Sequence, residues 1–159
     1  MGEPIDILQC PATGRPLEWE GSLRLTVNGG PSYSVRDGIL HLLPADFDAG
    51  DTNTVGVRDF YEAEGWAQDD TGLFGDTKSF LDTRPVSLAY TNKCIGRLRK
   101  YFRHGGKYLL DAGSGPIPHD TLLCYGDRFE RRVCLDLSVQ ALQIAKKNWG
   151  IVASICRVI

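Results

Sequence analysis

A glycine-containing segment in the second half of the chain has the residue types of a ligand-binding turn. It reads Leu-Asp-Ala-Gly-Ser-Gly over residues 110–115 and follows a short apolar run. Glycines at such a turn let the backbone approach a ligand closely, and the N-terminus of a following helix supplies free N–H groups. Because glycine-rich turns are common, a tight structural turn is the favoured interpretation for the glycines taken alone.

A second feature is the carboxylate of Asp136, which comes 23 residues after Gly113 and ends another apolar run. From the end of a strand beside a glycine turn, a carboxylate accepts hydrogen bonds from ribose hydroxyls. Taken singly, Asp111 has a helix cap as its alternative role, and Asp136 a turn former. Both acids in register with the glycine turn favour a cofactor site, in a crevice at the carboxyl ends of the strands.

These residues need a parallel sheet to bring them together, and the last third of the chain predicts one. Its apolar runs and glycines indicate strand, helix, strand, helix, strand, an order typical of parallel strands in one sheet. Ser138 suits the cap of the second helix, and Gly150 its stop. The predicted strands cover residues 108–110, 132–135 and 155–159, and the predicted helices cover residues 119–125 and 139–149.

The earlier part of the chain divides into a front zone of strands and a middle zone of helices. Strands are predicted over residues 19–27 and 33–43, joined by an Asn-Gly-Gly-Pro turn that is a strong hairpin signal. A short helix is predicted to begin at Asp59 and a longer one near Pro85, because proline suits the first turn. One face of the longer helix carries Leu88, Ile95, Leu98 and Phe102, and Gly105-Gly106 ends it.

The glycine segment resembles a known family. Residues 108–116, Tyr-Leu-Leu-Asp-Ala-Gly-Ser-Gly-Pro, resemble motif I of the class I S-adenosylmethionine (SAM) dependent methyltransferases, and residues 133–138 resemble their second motif. The resemblance implies an α/β fold with a truncated Rossmann-like methyltransferase sheet, its first three strands parallel, and SAM as the cofactor. The cofactor-binding residues it implies are Asp111, Ala112, Gly113, Ser114, Gly115, Asp136 and Leu137.

The resemblance also implies roles for individual residues. Asp111 would serve the ammonium group of the methionine part, often through water, and Asp136 the ribose hydroxyls. Gly113 and Gly115 would leave room for the methionine and ribose parts. The third position of the glycine run, often glycine in the family, is Ile117 here, a departure that bears on the fine shape of the loop.

Three residues upstream are candidates for contact with the cofactor. Tyr61 and Trp66 resemble the aromatic pair of a cap helix that covers the cofactor, and core packing of an amphipathic helix is the simpler alternative. Arg84 is a candidate partner for the methionine carboxylate, and an exposed position at the start of a helix is its alternative. A dinucleotide enzyme is disfavoured because Pro118 stands where the third glycine of its motif is required.

The front zone resembles the small zinc-ribbon-like domain of methyltransferase activator proteins, which also occurs fused to methyltransferases. The zinc form starts Cys-Pro-x-Cys, whereas here Cys10 is followed by Thr13, and one cysteine cannot supply four zinc ligands. We therefore expect a metal-free domain. The expected organisation is a small β-rich domain over residues 1–44, a linker with cap helices over 45–106, and an incomplete N-terminal half of the SAM-binding domain over 107–159.

Composition limits the function classes. Of the 159 residues 42% are apolar and 24% are charged, with a net charge of −2. This balance argues against a free-standing nucleic-acid binder but leaves room for an enzyme that meets RNA through a local patch. The five cysteines form no Cys-x-x-Cys pair, which predicts reduced thiols and a cytoplasmic location. No apolar run approaches the roughly 18 residues of a membrane span.

The sequence is therefore interpreted as the cofactor-binding portion of a SAM-dependent methyltransferase, whose acceptor is a small molecule, RNA or a protein. Neither a catalytic base nor a metal ligand is assigned. A non-catalytic SAM-binding or activator-like interaction module is the alternative. The chain alone is expected to be inactive, because the strand ending at Asp111 would lack one neighbour and its bare edge would favour self-association.

Overall fold

The computed structural model describes residues 7–22, 24–43, 52–117, 128–149 and 152–156. Within these residues, seven strands form one sheet in the order β1-β2-β3-β4-β7-β6-β5. Helices accompany the sheet, so the fold is mixed α/β, as expected from the sequence. The strands are β1 (Glu18–Trp19), β2 (Arg24–Thr26), β3 (Ser32–Arg36), β4 (Ile39–Leu42), β5 (Gly106–Ala112), β6 (Phe129–Leu135) and β7 (Val152–Cys156).

Four α-helices lie in the described part of the chain, and two of them continue into turns of different pitch. The helices are α1 (Thr52–Phe60), α2 (Gly75–Phe80), α3 (Pro85–Leu98) and α4 (Val139–Trp149). A π-helical turn, Tyr61–Gly65, follows α1 directly, and a 3-10 turn, Arg99–Phe102, follows α3. Among the described residues, no helix has the length and apolar character needed to cross a membrane.

The front of the chain forms antiparallel hairpins. The predicted turn between β2 and β3 is confirmed, since Gly30 N–H donates to Val27 O at 2.8 Å. The predicted strand over residues 19–27 is nevertheless divided into β1 and β2, and the one over residues 33–43 into β3 and β4. A tight turn at Asp37-Gly38, with φ of 51° and 66°, joins β3 to β4. Asp-Gly is a strong signal for a two-residue hairpin turn with positive φ, so the sequence held the information for this turn.

Buried side chains from the front hairpins form a first apolar cluster. Cys10, the cysteine at the position of a zinc ligand in the resembling domain, lies in this cluster with its thiol hydrogen-bonded. Its Sγ lies 3.1 Å from the Tyr33 hydroxyl. Burial raises the pKa of this thiol, but hydrogen bonds from Thr13, Tyr33 and the Ala12 and Thr13 backbone bring it below its ordinary value. In the described residues, no three His, Cys, Asp or Glu side chains gather as a metal site. The cluster comprises Cys10, Leu17, Leu25, Val27, Tyr33, Val35, Leu40 and Leu42.

The hydrogen bond between Cys10 and Tyr33 gives a first prediction. Tyr33→Phe keeps the ring in the cluster and leaves the Cys10 thiol without this partner, so we expect a loss of about 0.5–1.5 kcal/mol of unfolding free energy. Urea denaturation followed by circular dichroism measures it. Tyr101→Phe, at a ring that is 69% exposed, is the matched control and should leave stability unchanged. Equal stability of both variants would contradict a contribution from the bond.

The front strands and the later strands share one sheet and one core. β4 pairs with β7 in parallel, and β7 with β6 and β6 with β5 also in parallel. A second apolar cluster takes Ile39 from β4 together with Ile117, Cys134, Leu142 and Ala145. Lys146 Nζ also donates to Asp37 O at 2.6 Å. The predicted front domain therefore joins the predicted cofactor domain through continuous pairing and shared core contacts.

Several predicted boundaries differ from the observed ones. The helix predicted from Asp59 begins earlier, at Thr52, and the short α2 was not predicted. Pro85 occupies the first turn of α3 as expected, but Leu88 and Leu98 are exposed and the helix has no buried residue. β5 and β6 begin earlier than predicted, because their pairing continues through residues with little apolar signal, such as Gly106 and Arg131. β7 begins at Val152, three residues before the predicted strand. The predicted helix over 119–125 lies outside the described residues.

Candidate functional site

The glycine segment forms a sharp turn at the carboxyl end of β5. Gly113 and Gly115 have φ of 68° and 55°, a left-handed conformation that favours glycine. The N–H groups of Gly113 and Ser114 both donate to Leu135 O, at 2.7 and 3.2 Å. Since Leu135 is the last residue of β6, these bonds hold the turn against the end of the neighbouring strand. The turn therefore lies where two parallel strands end together.

Asp136 connects this turn to the start of α4. Its Oδ2 accepts a hydrogen bond from Gly115 N–H at 2.8 Å, and its Oδ1 accepts one from Ser138 N–H at 2.9 Å. Its role as a turn former and its position beside the glycine turn are thus both observed. A carboxylate has about four lone-pair sites. Two backbone bonds consequently leave acceptor capacity for ligand hydroxyls.

The start of α4 is capped as the sequence predicts. Ser138 Oγ accepts a hydrogen bond from Ala141 N–H at 3.1 Å, and Ser138 is buried. Gln140 N–H donates to Glu62 Oε1 of the π-helical turn at 3.3 Å. A carboxylate is favourable at the positive end of a helix. The bond therefore ties the segment after α1 to the same end of the sheet.

Asp111 is engaged by a cation within the sheet. Arg132 Nε donates to its Oδ2 at 3.1 Å, and Arg132 Nη2 bonds the same oxygen. The Arg132 side chain is only 8% exposed, so the pair lies largely away from water. Burial, with a further contribution from the Asp111 charge, raises the pKa of the neighbouring Cys134 thiol to about 11. That thiol is therefore neutral at ordinary pH.

Two aromatic rings cover the glycine turn. A Cβ built on Gly115 would lie 2.9 Å from a carbon of the Trp66 indole, so the ring packs directly on this backbone. Tyr61 stacks on Trp66 with centroids 5.0 Å apart and planes at 24°. Its hydroxyl donates to Asp76 Oδ1 at 2.9 Å. Burial, this hydrogen bond and the charges of Asp76 and Asp136 raise the pKa of Tyr61, which keeps the phenol protonated.

Trp66, named in the sequence as one of the aromatic pair, has a feature that the sequence did not indicate. Its Nε1 is buried and has no hydrogen-bond partner among the described residues, and the same holds for Gln140 Oε1 on the first turn of α4. Such groups are uncommon because a buried polar group without a partner is costly. Both atoms belong to segments that meet at the carboxyl end of the sheet. The aromatic spacing in the sequence was the only signal for Trp66, and nothing in the sequence indicated Gln140.

Of the remaining expected residues, two lie at the turn and one lies elsewhere. Ala112 ends β5 and is exposed, and Leu137 is half-buried between Asp136 and the helix cap. Arg84 is at the start of α3, where its Nε donates to Asp82 Oδ1 at 2.9 Å. This hydrogen bond raises the pKa of the Arg84 guanidinium, which remains charged. The described contacts of Arg84 match its alternative role at the start of a helix, and its cofactor role stays a prediction.

Ile117 keeps a glycine-like backbone without being glycine. Its φ is 55°, and it is 2% exposed within the second apolar cluster. A left-handed conformation costs a side-chain-bearing residue about 1–2 kcal/mol. Burial of the Ile117 side chain between β4 and α4 offsets this cost. Ile117 therefore adopts a backbone conformation that favours glycine while its side chain fills the second apolar cluster.

The site thus combines a glycine turn, an adjacent carboxylate with acceptor capacity, and an aromatic cover with an unpartnered donor. This arrangement suits a ligand that has hydroxyl groups and a flat aromatic part. A comparison of the chain with protein-family models and with curated proteins finds no match.

Proposed function

We propose that the chain binds S-adenosylmethionine and forms the cofactor-binding portion of a methyltransferase with a Rossmann-like sheet. One observation carries the proposal: the carboxylate of Asp136 lies at the end of β6, hydrogen-bonded to the glycine turn at the end of the adjacent parallel strand β5. In open α/β sheets, ligands bind in the crevice at the carboxyl ends of the strands. The strand order β7-β6-β5 further supports it.

The residues present fit such a cofactor. In the described part of the chain, no atom lies within 4 Å of a Cβ built on Gly113, which leaves room for a ligand at this backbone. Asp136 has acceptor capacity for the ribose hydroxyls. Asp111, which the resemblance assigns to the methionine ammonium group, already pairs with Arg132 and so contributes less to the fit. Trp66 and Tyr61 provide flat apolar surface beside the turn, and Trp66 Nε1 is a donor without a partner. Ala112, Ser114 and Leu137 would complete the contact surface.

The cofactor, when bound, supplies an activated methyl group on a sulfonium. The chain would contribute alignment of that group and exclusion of water, which are the main requirements of such a transfer. Among the described residues, Trp66 packs on the glycine turn with Tyr61 stacked behind it, and this pair can exclude water there. The acceptor belongs to one of three classes: a small molecule, RNA or a protein.

A non-catalytic SAM-binding or interaction module is the second candidate. It is favoured by the internal contacts of the site, because Trp66 packs on Gly115 and Asp111 is paired with Arg132. The two candidates share cofactor binding and differ in turnover. Because the chain alone is expected to be inactive, the two are separated by a SAM-consumption assay with candidate acceptors on a protein that also supplies the substrate-binding portion. A module binds SAM there without forming the demethylated product.

Isothermal titration calorimetry of the chain with SAM and with S-adenosylhomocysteine tests the proposal. We expect both compounds to bind at one site and to compete with each other, because they share the adenosyl and amino-acid parts that the site would hold. NAD⁺ is the control ligand and should not compete, since Pro118 replaces the glycine that its motif needs. The proposal would be contradicted if NAD⁺ released heat of binding and neither SAM nor S-adenosylhomocysteine did.

A further inference from the structure

The small net charge conceals a strongly uneven distribution of charge along the chain. Residues 83–110 hold seven of the 18 Lys and Arg residues and no Asp or Glu. The other residues hold the remaining 11 Lys and Arg and all 20 acids. A positive segment of this length creates a local field, even in a protein of net charge −2. The segment spans α3, the 3-10 turn and most of β5.

The fold brings part of this segment next to Arg128, which lies just before β6. The ring of Phe102 in the 3-10 turn meets the ring of Phe129 at the start of β6, with centroids 6.2 Å apart. Arg128 Nη1 donates to Arg103 O at 2.6 Å. These contacts gather basic side chains at the amino ends of β5 and β6. We call this surface the basic edge; its residues, all exposed, are Arg99, Lys100, Arg103, Lys107 and Arg128.

An exposed aromatic ring lies among these cations. Tyr101 is 69% exposed, and Lys100 Nζ lies 4.8 Å from the centroid of its ring. Cations beside an exposed ring form the combination that binds single-stranded nucleic acid, since cations meet phosphates and rings stack on bases. In the sequence, Asp127 and Glu130 lie on either side of Arg128 and Phe129, and these two acids do not balance the five cations of the basic edge.

We infer that the basic edge is a binding surface for single-stranded RNA. Duplex DNA is a poorer match because its readers insert a helix or a ribbon into a groove, whereas this surface is a turn beside two strand ends. An anionic membrane is a poorer match because membrane-surface helices place cations beside a continuous apolar face. The cations of the basic edge lie on a turn and at strand ends instead.

The basic edge is separate from the glycine turn. The two lie at opposite ends of β5, which is seven residues long, a separation of about 20 Å at the usual rise of a strand. The surface would therefore anchor RNA without contacting the proposed cofactor. The inference goes beyond the proposed function and does not depend on it, and Asp136→Ala should leave RNA affinity unchanged.

Fluorescence anisotropy with a labelled oligonucleotide of about 16 uridines tests the inference. We expect binding by the chain that weakens as salt rises. The triple variant Arg99→Gln/Lys100→Gln/Arg103→Gln should lose at least about tenfold in affinity near 0.1 M salt, and the slope of log affinity against log salt should fall by about 2. Arg24→Gln/Arg36→Gln/Lys147→Gln removes three exposed cations elsewhere and is the matched control.

A second pair of variants tests the ring. Tyr101→Ala should weaken binding by roughly fivefold to a hundredfold, whereas Tyr90→Ala, at a ring that is 66% exposed on α3, should not. Circular dichroism establishes that each variant is folded. Equal losses from the basic-edge and control triples would overturn the inference. Binding to phosphatidylserine vesicles without binding to the oligonucleotide would also overturn it, in favour of a membrane partner.

Discussion

If the proposed cofactor site is correct, replacing Asp136 with alanine is expected to lower the affinity for S-adenosylmethionine by roughly tenfold to a hundredfold. A hydrogen bond to a charged group contributes about 1.5–3 kcal/mol, which corresponds to that range of dissociation constants. The substitution removes the acceptor for the ribose hydroxyls. It also releases Gly115 N–H and Ser138 N–H, so the turn loses its connection to α4. Isothermal titration calorimetry measures the change.

Two controls separate the ligand contact from general damage to the fold. Asp136→Asn retains one acceptor oxygen but no charge, and we expect its affinity to lie between those of the parent and the alanine variant. Asp59→Ala removes an acid that is 62% exposed and pairs with Arg58, and it should bind as the parent does. Unchanged affinity in Asp136→Ala would exclude the proposed role of this carboxylate.

Gly115→Ala reduces the unfolding free energy by about 2–5 kcal/mol. The left-handed φ of 55° costs an alanine about 1–2 kcal/mol, and forcing extra atoms into a packed contact costs about 1–3 kcal/mol more. The contact is with Trp66, whose ring would lie 2.9 Å from the new Cβ. Urea denaturation followed by tryptophan fluorescence and circular dichroism measures the loss. The same variant should displace the aromatic cover from the turn.

Gly113→Ala is the matched control for this prediction. Gly113 has a similar φ of 68°, but no atom of residues 7–22, 24–43, 52–117, 128–149 or 152–156 lies within 4 Å of a Cβ built on it. It should therefore lose only the conformational part, about 1–2 kcal/mol. The difference between the two variants isolates the contact with Trp66. A double variant, Gly115→Ala/Trp66→Leu, should lose less unfolding free energy than the sum of its two single changes. Equal losses of unfolding free energy in Gly113→Ala and Gly115→Ala would show that the indole does not pack on the turn.

The sequence predicts those parts of the site that depend on local signals. Glycines with positive φ, a capping serine and an acid after an apolar run each act through neighbours close in the chain, and Gly113, Ser138 and Asp136 lie where the pattern expects them. The Asp37-Gly38 turn had an equally local signal, but the apolar run across it obscured the break between β3 and β4.

Other features depend on contacts that no local pattern carries. The pairing of β4 with β7 joins strands that are far apart in the chain, and the position of Trp66 on Gly115 depends on how the segment after α1 folds back. The partner of Asp111 was not foreseen for the same reason, because Arg132 is its neighbour across the sheet. The basic edge escaped notice because the net charge averages over the whole chain.

The pairing of β4 with β7 also orders the events of folding during synthesis. Ile39 pairs with Ala153, 114 positions later. At a typical rate of 5–20 residues per second, the ribosome needs roughly 6–23 s to add that length. Throughout this interval the β4 edge has no partner, and Ile39 lacks the side chains that later bury it. Contacts of such long range are slow to form and leave strand edges open to association. The front hairpins are thus the first part of the sheet to leave the ribosome, but β4 gains its second neighbouring strand only after β7 has been synthesised.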